Sequence, residues 1–182
     1  MSEQRYAIEA FSERHSVSDF NNEIGDVRDY IKNEALLDMQ MRVTGTFVAV
    51  DMRADEAGTV SGYFTLRACS LAINDTYFED FYPEPITSPI AMEVPLAELM
   101  WLGSDLGYRG EGIRKLLLFD ALKRTVEVAD RMGLVGLHLR SVPGAIKFYE
   151  KVGFGQFDAY SSDALRYFLS VADMQDILAL IL

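Results

Sequence analysis

The sequence predicts a mixed α/β fold, a sheet flanked by helices that is not a simple doubly wound one. Three observations carry this. Runs of β-branched and apolar residues of strand length alternate with amphipathic stretches of helix length. A charged segment ending in glycine joins two of the runs as a hairpin turn does. The elements come in the order strand, two helices, three strands, helix, strand, helix, two strands, with a further terminal helix.

Tyr6-Ala7-Ile8-Glu9-Ala10-Phe11 reads as the first strand. Two helical stretches follow, at 17–23 and 26–41. In the second, Asp26 is a good N-cap, and Val27, Tyr30, Ile31, Leu37 and Met41 line one face. Residues 44–51 form a strand, 52–58 a charged turn closed by Gly58, and 59–68 the returning strand. The stretch 70–89 is aromatic, acidic and proline-bearing, and reads as a loop or a short irregular helix. Loops this long are usually functional, so it is expected either over a substrate entrance or as packing filler.

A strand at 90–102 runs into a glycine-rich loop and a helix at 112–132, followed by a short strand at 135–140. Pro143 opens a helix to Lys151, at a position where its missing N–H costs nothing. Strands at 154–160 and 165–170 complete the sheet. A terminal helix spans 173–182, and its end, from Ile177 on, is apolar all round, which implies burial or a partner surface.

A chain of 182 residues without repeats or linkers fits one domain over 1–182. Cys69 is the single cysteine, which excludes an internal disulfide and any metal cage built from several thiolates; no metal is expected. It stands in an apolar strand-like run, which predicts a buried, inert thiol. No apolar run approaches the roughly 18 residues that span a bilayer, and Met1-Ser2-Glu3-Gln4-Arg5 lacks a signal-peptide layout, so a cytoplasmic protein is expected. Lys and Arg number 17 against 28 Asp and Glu, a formal charge of −11. That field repels phosphate backbones and disfavours nucleic acid; it favours cationic substrates such as amines.

Within this acidic chain, Ser104-Asp105-Leu106-Gly107-Tyr108-Arg109-Gly110-Glu111-Gly112-Ile113-Arg114 joins a strand to the longest helix. Glycines let the backbone approach a ligand, and the first helical N–H groups point at it unpaired. With the positive end of the helix dipole they form a pyrophosphate site, to which Arg109, Arg114 and Lys115 add cations. A helix entry with glycines for tight packing is the plainer alternative. The spacing is not G-x-G-x-x-G, and no second parallel βαβ half follows, which excludes a dinucleotide fold.

This loop resembles the acyl-CoA motif Gln/Arg-x-x-Gly-x-Gly/Ala of the GNAT N-acetyltransferase superfamily. Arg109 and Gly112 match it, and Arg114 stands where the family has Gly or Ala. Ala145-Ile146-Lys147-Phe148-Tyr149-Glu150-Lys151-Val152-Gly153-Phe154 is similar to the GNAT element A-x-x-F-Y-x-x-x-G-F without departure. Residues 97–104 resemble the family's central strand. The resemblance implies a GNAT fold, with a mixed, mostly antiparallel sheet whose central strands splay, and acetyl-CoA as acetyl donor. It places the pantetheine arm on the amides of Leu102, Gly103 and Ser104, and the phosphates on Arg109, Gly110, Glu111, Gly112, Ile113, Arg114 and Lys115.

The same resemblance makes Tyr149 the acid that protonates the departing CoA thiolate; a phenol, with an ordinary pKa of about 10, carries its proton at neutral pH. Tyr149 packed with its hydroxyl on the backbone is the structural alternative. Glu98, on the central strand, is the candidate base, with a solvated carboxylate as its alternative. His138 and His15 are other candidates for the base, and neither has a partner at metal-ligand spacing in the sequence.

His15-Ser16-Val17-Ser18-Asp19-Phe20, residues 29–36 and Gly62-Tyr63-Phe64-Thr65-Leu66 resemble the GNAT toxins of toxin–antitoxin pairs, which acetylate aminoacyl-tRNA and are neutralised by antitoxins. Two departures stand out. Those toxins are basic, and Met100-Trp101 replaces their Gly-Arg. Three readings follow. The chain is an N-acetyltransferase acting on a small amine or a protein or peptide amine, or a toxin-like acetyltransferase of aminoacyl-tRNA with an antitoxin partner, or a degenerate GNAT domain used for interaction or regulation. The family and the apolar tail also point to a homodimer.

Overall fold

The computed structural model describes residues 5–54, 58–72, 93–158 and 165–180. Its elements are β1 (Tyr6–Ala10), α1 (Gly25–Asn33), α2 (Ala35–Gln40), β2 (Gly45–Asp51), β3 (Val60–Ala72), β4 (Glu93–Ser104), α3 (Ile113–Met132), β5 (Gly136–Ser141), α4 (Ile146–Glu150), β6 (Gly155–Asp158), β7 (Leu165–Ser170) and α5 (Val171–Ala179). The strands form one mixed, mostly antiparallel sheet in the order β1-β2-β3-β4-β5-β7-β6, with helices flanking it. β4 and β5 are parallel, which requires a long crossover, and α3 lies between them in the chain. By compactness the chain divides into two units, Met1–Arg67 with Met100–Ala121, and Ala68–Leu99 with Leu122–Leu182.

The core of the first unit gathers Phe11, Phe20, Val27, Tyr30, Ile31, Ala35, Val48, Val50, Val60 and Tyr63. Val48, Ala49 and Val50 are all buried, the mark of a strand covered on both faces. Tyr63 donates its hydroxyl to the Val27 carbonyl at 2.6 Å, so its polar tip is satisfied inside that core. Two glycines permit close packing here. A Cβ at Gly62 would meet Ile113 Cγ2 at 2.7 Å and Leu117 Cδ1 at 2.9 Å, and one at Gly103 would meet Val27 Cγ1 at 2.5 Å. Gly62 therefore lets α3 lie against β3, and Gly103 lets α1 lie against β4.

The structure corrects the sequence reading of this unit at three places. Residues 17–23 are not helical. Their polar groups make tertiary bonds instead of i→i−4 bonds: Asn22 Nδ2 donates to the Ser104 carbonyl at 2.8 Å, and the Asn21 N–H to Asp105 Oδ2 at 2.6 Å. Asp26 is not an N-cap but lies in the first turn of α1, whose N-cap residue is Ile24. Finally, 26–41 is two helices. Glu34 leaves helical geometry at φ −121°, which rotates the apolar face so that Ala35 is buried while Leu37 and Met41 are exposed.

In the second unit β5 pairs with β7 along its whole length, from Gly136 opposite Ser170 to Ser141 opposite Leu165. Val94, Leu96 and Phe168 are buried together, with Cys69, Leu71 and Val135 packed against them. β3 extends past the expected end to Ala72, so the stretch read as a loop from Ser70 begins as strand; its remainder lies outside the described residues. β4 runs from Glu93 to Ser104, two residues past the expected end at 102, while the expected start at 90 lies outside the described residues. Pro143 opens a 3-10 turn, Pro143–Ala145, rather than an α-helix, and α4 follows it. Gly153 does have the left-handed geometry of a helix-ending glycine, at φ +115°. Ser170 caps α5 by accepting the Asp173 N–H at 3.1 Å, so the terminal helix starts two residues earlier than expected. Leu180, in its apolar tail, is 88% exposed.

Candidate functional site

The residues singled out for ligand chemistry fall into two groups, one in each unit. The first unit holds the end of β4, the glycine-rich loop and the start of α3. Asp105 anchors the loop's root: its carboxylate accepts from the N–H groups of Gly107 and Asn21, while its own N–H donates to the Ser61 carbonyl at 2.9 Å. A 3-10 turn, Leu106–Tyr108, follows. Gly110 and Gly112 then take φ of +85° and +77°, with open space where a Cβ would stand. Those conformations bare the backbone at the start of a 20-residue helix, where the Glu111 N–H between the two glycines is taken by the Tyr108 carbonyl at 3.2 Å. The Gly112 carbonyl accepts from Lys115 and Leu116. Among the described residues, the N–H groups of Gly110, Gly112, Ile113 and Arg114 have no backbone acceptor.

The charged side chains of the loop have specific partners. Arg109 pairs with Glu23 while remaining 69% exposed, and Arg114 and Lys115 are exposed. Glu111 would repel a phosphate if left alone. It is tied down by the Arg5 guanidinium at 2.5 Å and by the Tyr6 hydroxyl, which donates to it. Arg5 also bonds buried Asp51, at 3.0 Å, and stacks over the rings of Tyr6 and Tyr108. That bond with Arg5 is the main cause holding the Asp51 carboxyl below the ordinary aspartate range. Burial, joined by the bond to Glu111, pushes the Tyr6 phenol up, so Tyr6 stays protonated. Sequence reading missed Arg5, Tyr6 and Asp51; they lie far along the chain from Glu111, and no local pattern marks them.

Trp101, in the same unit, packs on Tyr30 with ring centroids 5.4 Å apart and lies against the α1–α2 core. Its Nε1 is buried with no hydrogen-bond partner among the described residues.

The second unit holds Tyr149, Glu98 and His138. Tyr149 is 8% exposed on α4, with Phe148 and Phe154 set edge-on to its ring at 5.2 and 5.7 Å. Glu98 and His138 are register partners on parallel β4 and β5, and both are buried. Arg140 Nε stands 3.9 Å from Glu98 Oε1, too far for a hydrogen bond. Cys69, expected to be buried and inert, is half-buried; its thiol donates to the Leu96 carbonyl, and its sulfur lies within 4.8 Å of ligand atoms of both Glu98 and His138. His138 therefore has neighbours of metal-ligand type that sequence spacing does not show. His15, the other candidate for the base, is buried in the first unit, with Nε2 2.8 Å from Glu9 Oε1.

No family model matches the chain. A curated relative, the probable toxin TacT of Sinorhizobium fredii (strain NBRC 101917 / NGR234), is 27% identical over 137 residues, 70% of this chain and 71% of its own length. Among solved structures, a Tyr-to-Phe mutant of the toxin AtaT bound to acetyl-CoA and the C-terminus of the antitoxin AtaR superposes with a TM-score of 0.75. It is 15% identical, with 96% of this chain and 98% of that one covered. AtaT complexed with acetyl-methionyl-tRNAfMet gives a TM-score of 0.77 at 15% identity, with 94% and 98% covered. The chain has the GNAT fold, and it resembles the acetyltransferase toxins of toxin–antitoxin systems along most of its length.

Proposed function

We propose that this protein transfers an acetyl group from acetyl-CoA to a primary amine. The observation that carries the reading is the loop with left-handed Gly110 and Gly112 that opens α3, where the N–H groups of Gly110, Gly112, Ile113 and Arg114 have no backbone acceptor among the described residues. There the CoA pyrophosphate gains several N–H donors and the positive end of a long helix dipole. The amides of Leu102, Gly103 and Ser104 receive the pantetheine arm. Arg114, exposed on the first turn of α3, adds a cation instead of blocking the site.

The reaction is direct. The amine nitrogen attacks the thioester carbon, the C–N bond forms and the C–S bond breaks. Glu98 takes the proton released by the amine, and Tyr149 gives its phenolic proton to the CoA thiolate and is reprotonated from solvent. Glu98→Gln and Tyr149→Phe each remove one proton step.

The likeness to TacT and AtaT supports the amino group of aminoacyl-tRNA as the acceptor, with a protein antitoxin as partner. A second reading, a small amine or peptide amine, is favoured by the formal charge of −11 and by Trp101, which stands where the family resemblance implies an arginine. A homodimer and a cytoplasmic location accompany both readings; among the described residues no helix is long and apolar enough to cross a membrane.

Calorimetry with acetyl-CoA tests the first step. Micromolar binding that weakens in Arg114→Gly is the expected result; no binding by the wild type rejects the transferase, and tighter binding by the variant rejects Arg114 as a helper. Labelled acetyl-CoA offered with a charged tRNA pool, and separately with polyamines and peptides, then separates the acceptors. Toxicity on expression that a supplied tRNA hydrolase relieves belongs only to the tRNA reading.

A further inference from the structure

Cys69, Glu98 and His138 come from three consecutive strands of the sheet, β3, β4 and β5, and their sulfur, carboxylate oxygen and imidazole nitrogen all lie within 4.8 Å of one another. Glu98 and His138 are 6% and 4% exposed. We propose that Cys69, Glu98 and His138 form a site for a divalent transition-metal ion of the zinc class.

The donor set selects the ion. One thiolate, one imidazole and one carboxylate make a mixed, borderline site; Mg²⁺ and Ca²⁺ prefer all-oxygen shells, whereas Zn²⁺ takes these three donors. Bond lengths of about 2.0–2.3 Å put donor atoms roughly 3.2–3.8 Å apart in a tetrahedral site. A spread of at most 4.8 Å therefore closes with side-chain movements of about 1 Å or less. Strands hold the three positions, and Glu98 and His138 are fixed as register partners.

Charge also balances. The dication meets one thiolate, one carboxylate and a neutral imidazole, and the thiol proton leaves to solvent as the sulfur binds. Leu96 and Phe168, packed with Cys69 in the core of the second unit, supply an apolar surround that strengthens such bonds. The single cysteine excludes a cage of several thiolates, but a site of this kind needs only one.

Metal binding itself does not depend on the acetyl-transfer reading. Its consequence does: an ion on Glu98 occupies the carboxylate proposed as base, so occupancy inhibits transfer.

The test titrates Co²⁺ and Zn²⁺ into the full chain after chelator treatment. One equivalent of Co²⁺ should produce a thiolate-to-cobalt charge-transfer band and intense tetrahedral d–d absorption, both removed by Zn²⁺. Cys69→Ser should abolish the charge-transfer band, and His138→Gln should weaken Zn²⁺ binding by at least about tenfold. His15→Gln removes the other buried histidine beside a carboxylate and should change neither. If a variant does not fold, the rate at which Cys69 is alkylated in the wild type decides instead, since bound Zn²⁺ must protect it. A wild type that shows no charge-transfer band overturns the site, as does a Cys69 alkylated equally fast with and without Zn²⁺. Binding without loss of acetyl transfer leaves the metal site standing and removes Glu98 as the base; an enzyme silent even without metal is a failure of the transferase reading alone.

Discussion

At the scale of single residues, the glycine-rich loop depends on two backbone conformations. Gly112→Ala puts a Cβ on a residue at φ +77°, which costs about 1–2 kcal/mol, although space is open around it. The loop relieves that strain by moving its amides. The expected outcome is a fall in acetyl-CoA affinity of about tenfold, larger in proportion than any change in melting temperature; calorimetry and thermal unfolding on the same variant check this. Tyr149→Phe keeps the ring that packs between Phe148 and Phe154 and removes only the hydroxyl. Turnover should fall about 100-fold with the acetyl-CoA dissociation constant unchanged, since an acid acts in the transition state and not in donor binding. Stopped assays alongside equilibrium binding measure the two separately, and unchanged turnover removes Tyr149 from the mechanism.

At the scale of elements, what positions the loop is contact between pieces distant in the chain. Gly62→Ala drives a methyl into Ile113, Leu117 and the Gly103 carbonyl, so α3 must shift off β3. A loss of about 1–3 kcal/mol in urea unfolding is expected, with weakened acetyl-CoA binding because α3 carries the amides proposed to hold the phosphates. Arg5 joins the start of β1 to the end of β2 through Asp51 and to the loop through Glu111. Its pairing holds the Asp51 carboxyl below the ordinary range. A carboxyl depressed in the folded state stabilises the fold above its unfolded pKa of about 3.9, and that stabilisation is lost as pH falls through the lower, folded value. Arg5→Gln should therefore lower stability at pH 7 and make acid unfolding less steep below about pH 4. It also leaves Glu111 uncompensated, so acetyl-CoA affinity should drop in the same variant. Melting curves across pH 2–7 and a binding titration give both readouts.

At the scale of the whole molecule, electrostatics separates the acceptors. With 28 acidic against 17 basic side chains, the overall field opposes a polyanion. Two loop-proximal arginines, Arg5 and Arg109, are further engaged by Glu111 and Glu23. If aminoacyl-tRNA is nevertheless the acceptor, it must be held by a local basic patch, and its KM should rise steeply as salt increases from 50 to 200 mM. A small cationic amine is drawn by the same field as a single charge, and its KM should rise only weakly with salt. Initial rates against salt for each acceptor measure the difference.

Much of this protein was legible in the sequence, because the signals involved are local. The β-branched, apolar run of Gly45–Asp51, the helix-length stretch Ile113–Met132 and the glycines at 110 and 112 depend on near neighbours, and these elements stand where composition and turn chemistry place them. Residues 17–23 went the other way: their asparagines bond to Ser104 and Asp105, more than 80 residues along the chain, and those bonds outcompete a helix. The break at Glu34, the Arg5–Glu111 pairing and the meeting of Cys69, Glu98 and His138 are of the same kind. Tertiary structure decided them because strand pairing joins residues whose separation in sequence carries no pattern. Local backbone preference therefore determined the elements and the glycine-rich loop, and only the packed chain determined which charges reach that loop and which donor atoms converge on Glu98.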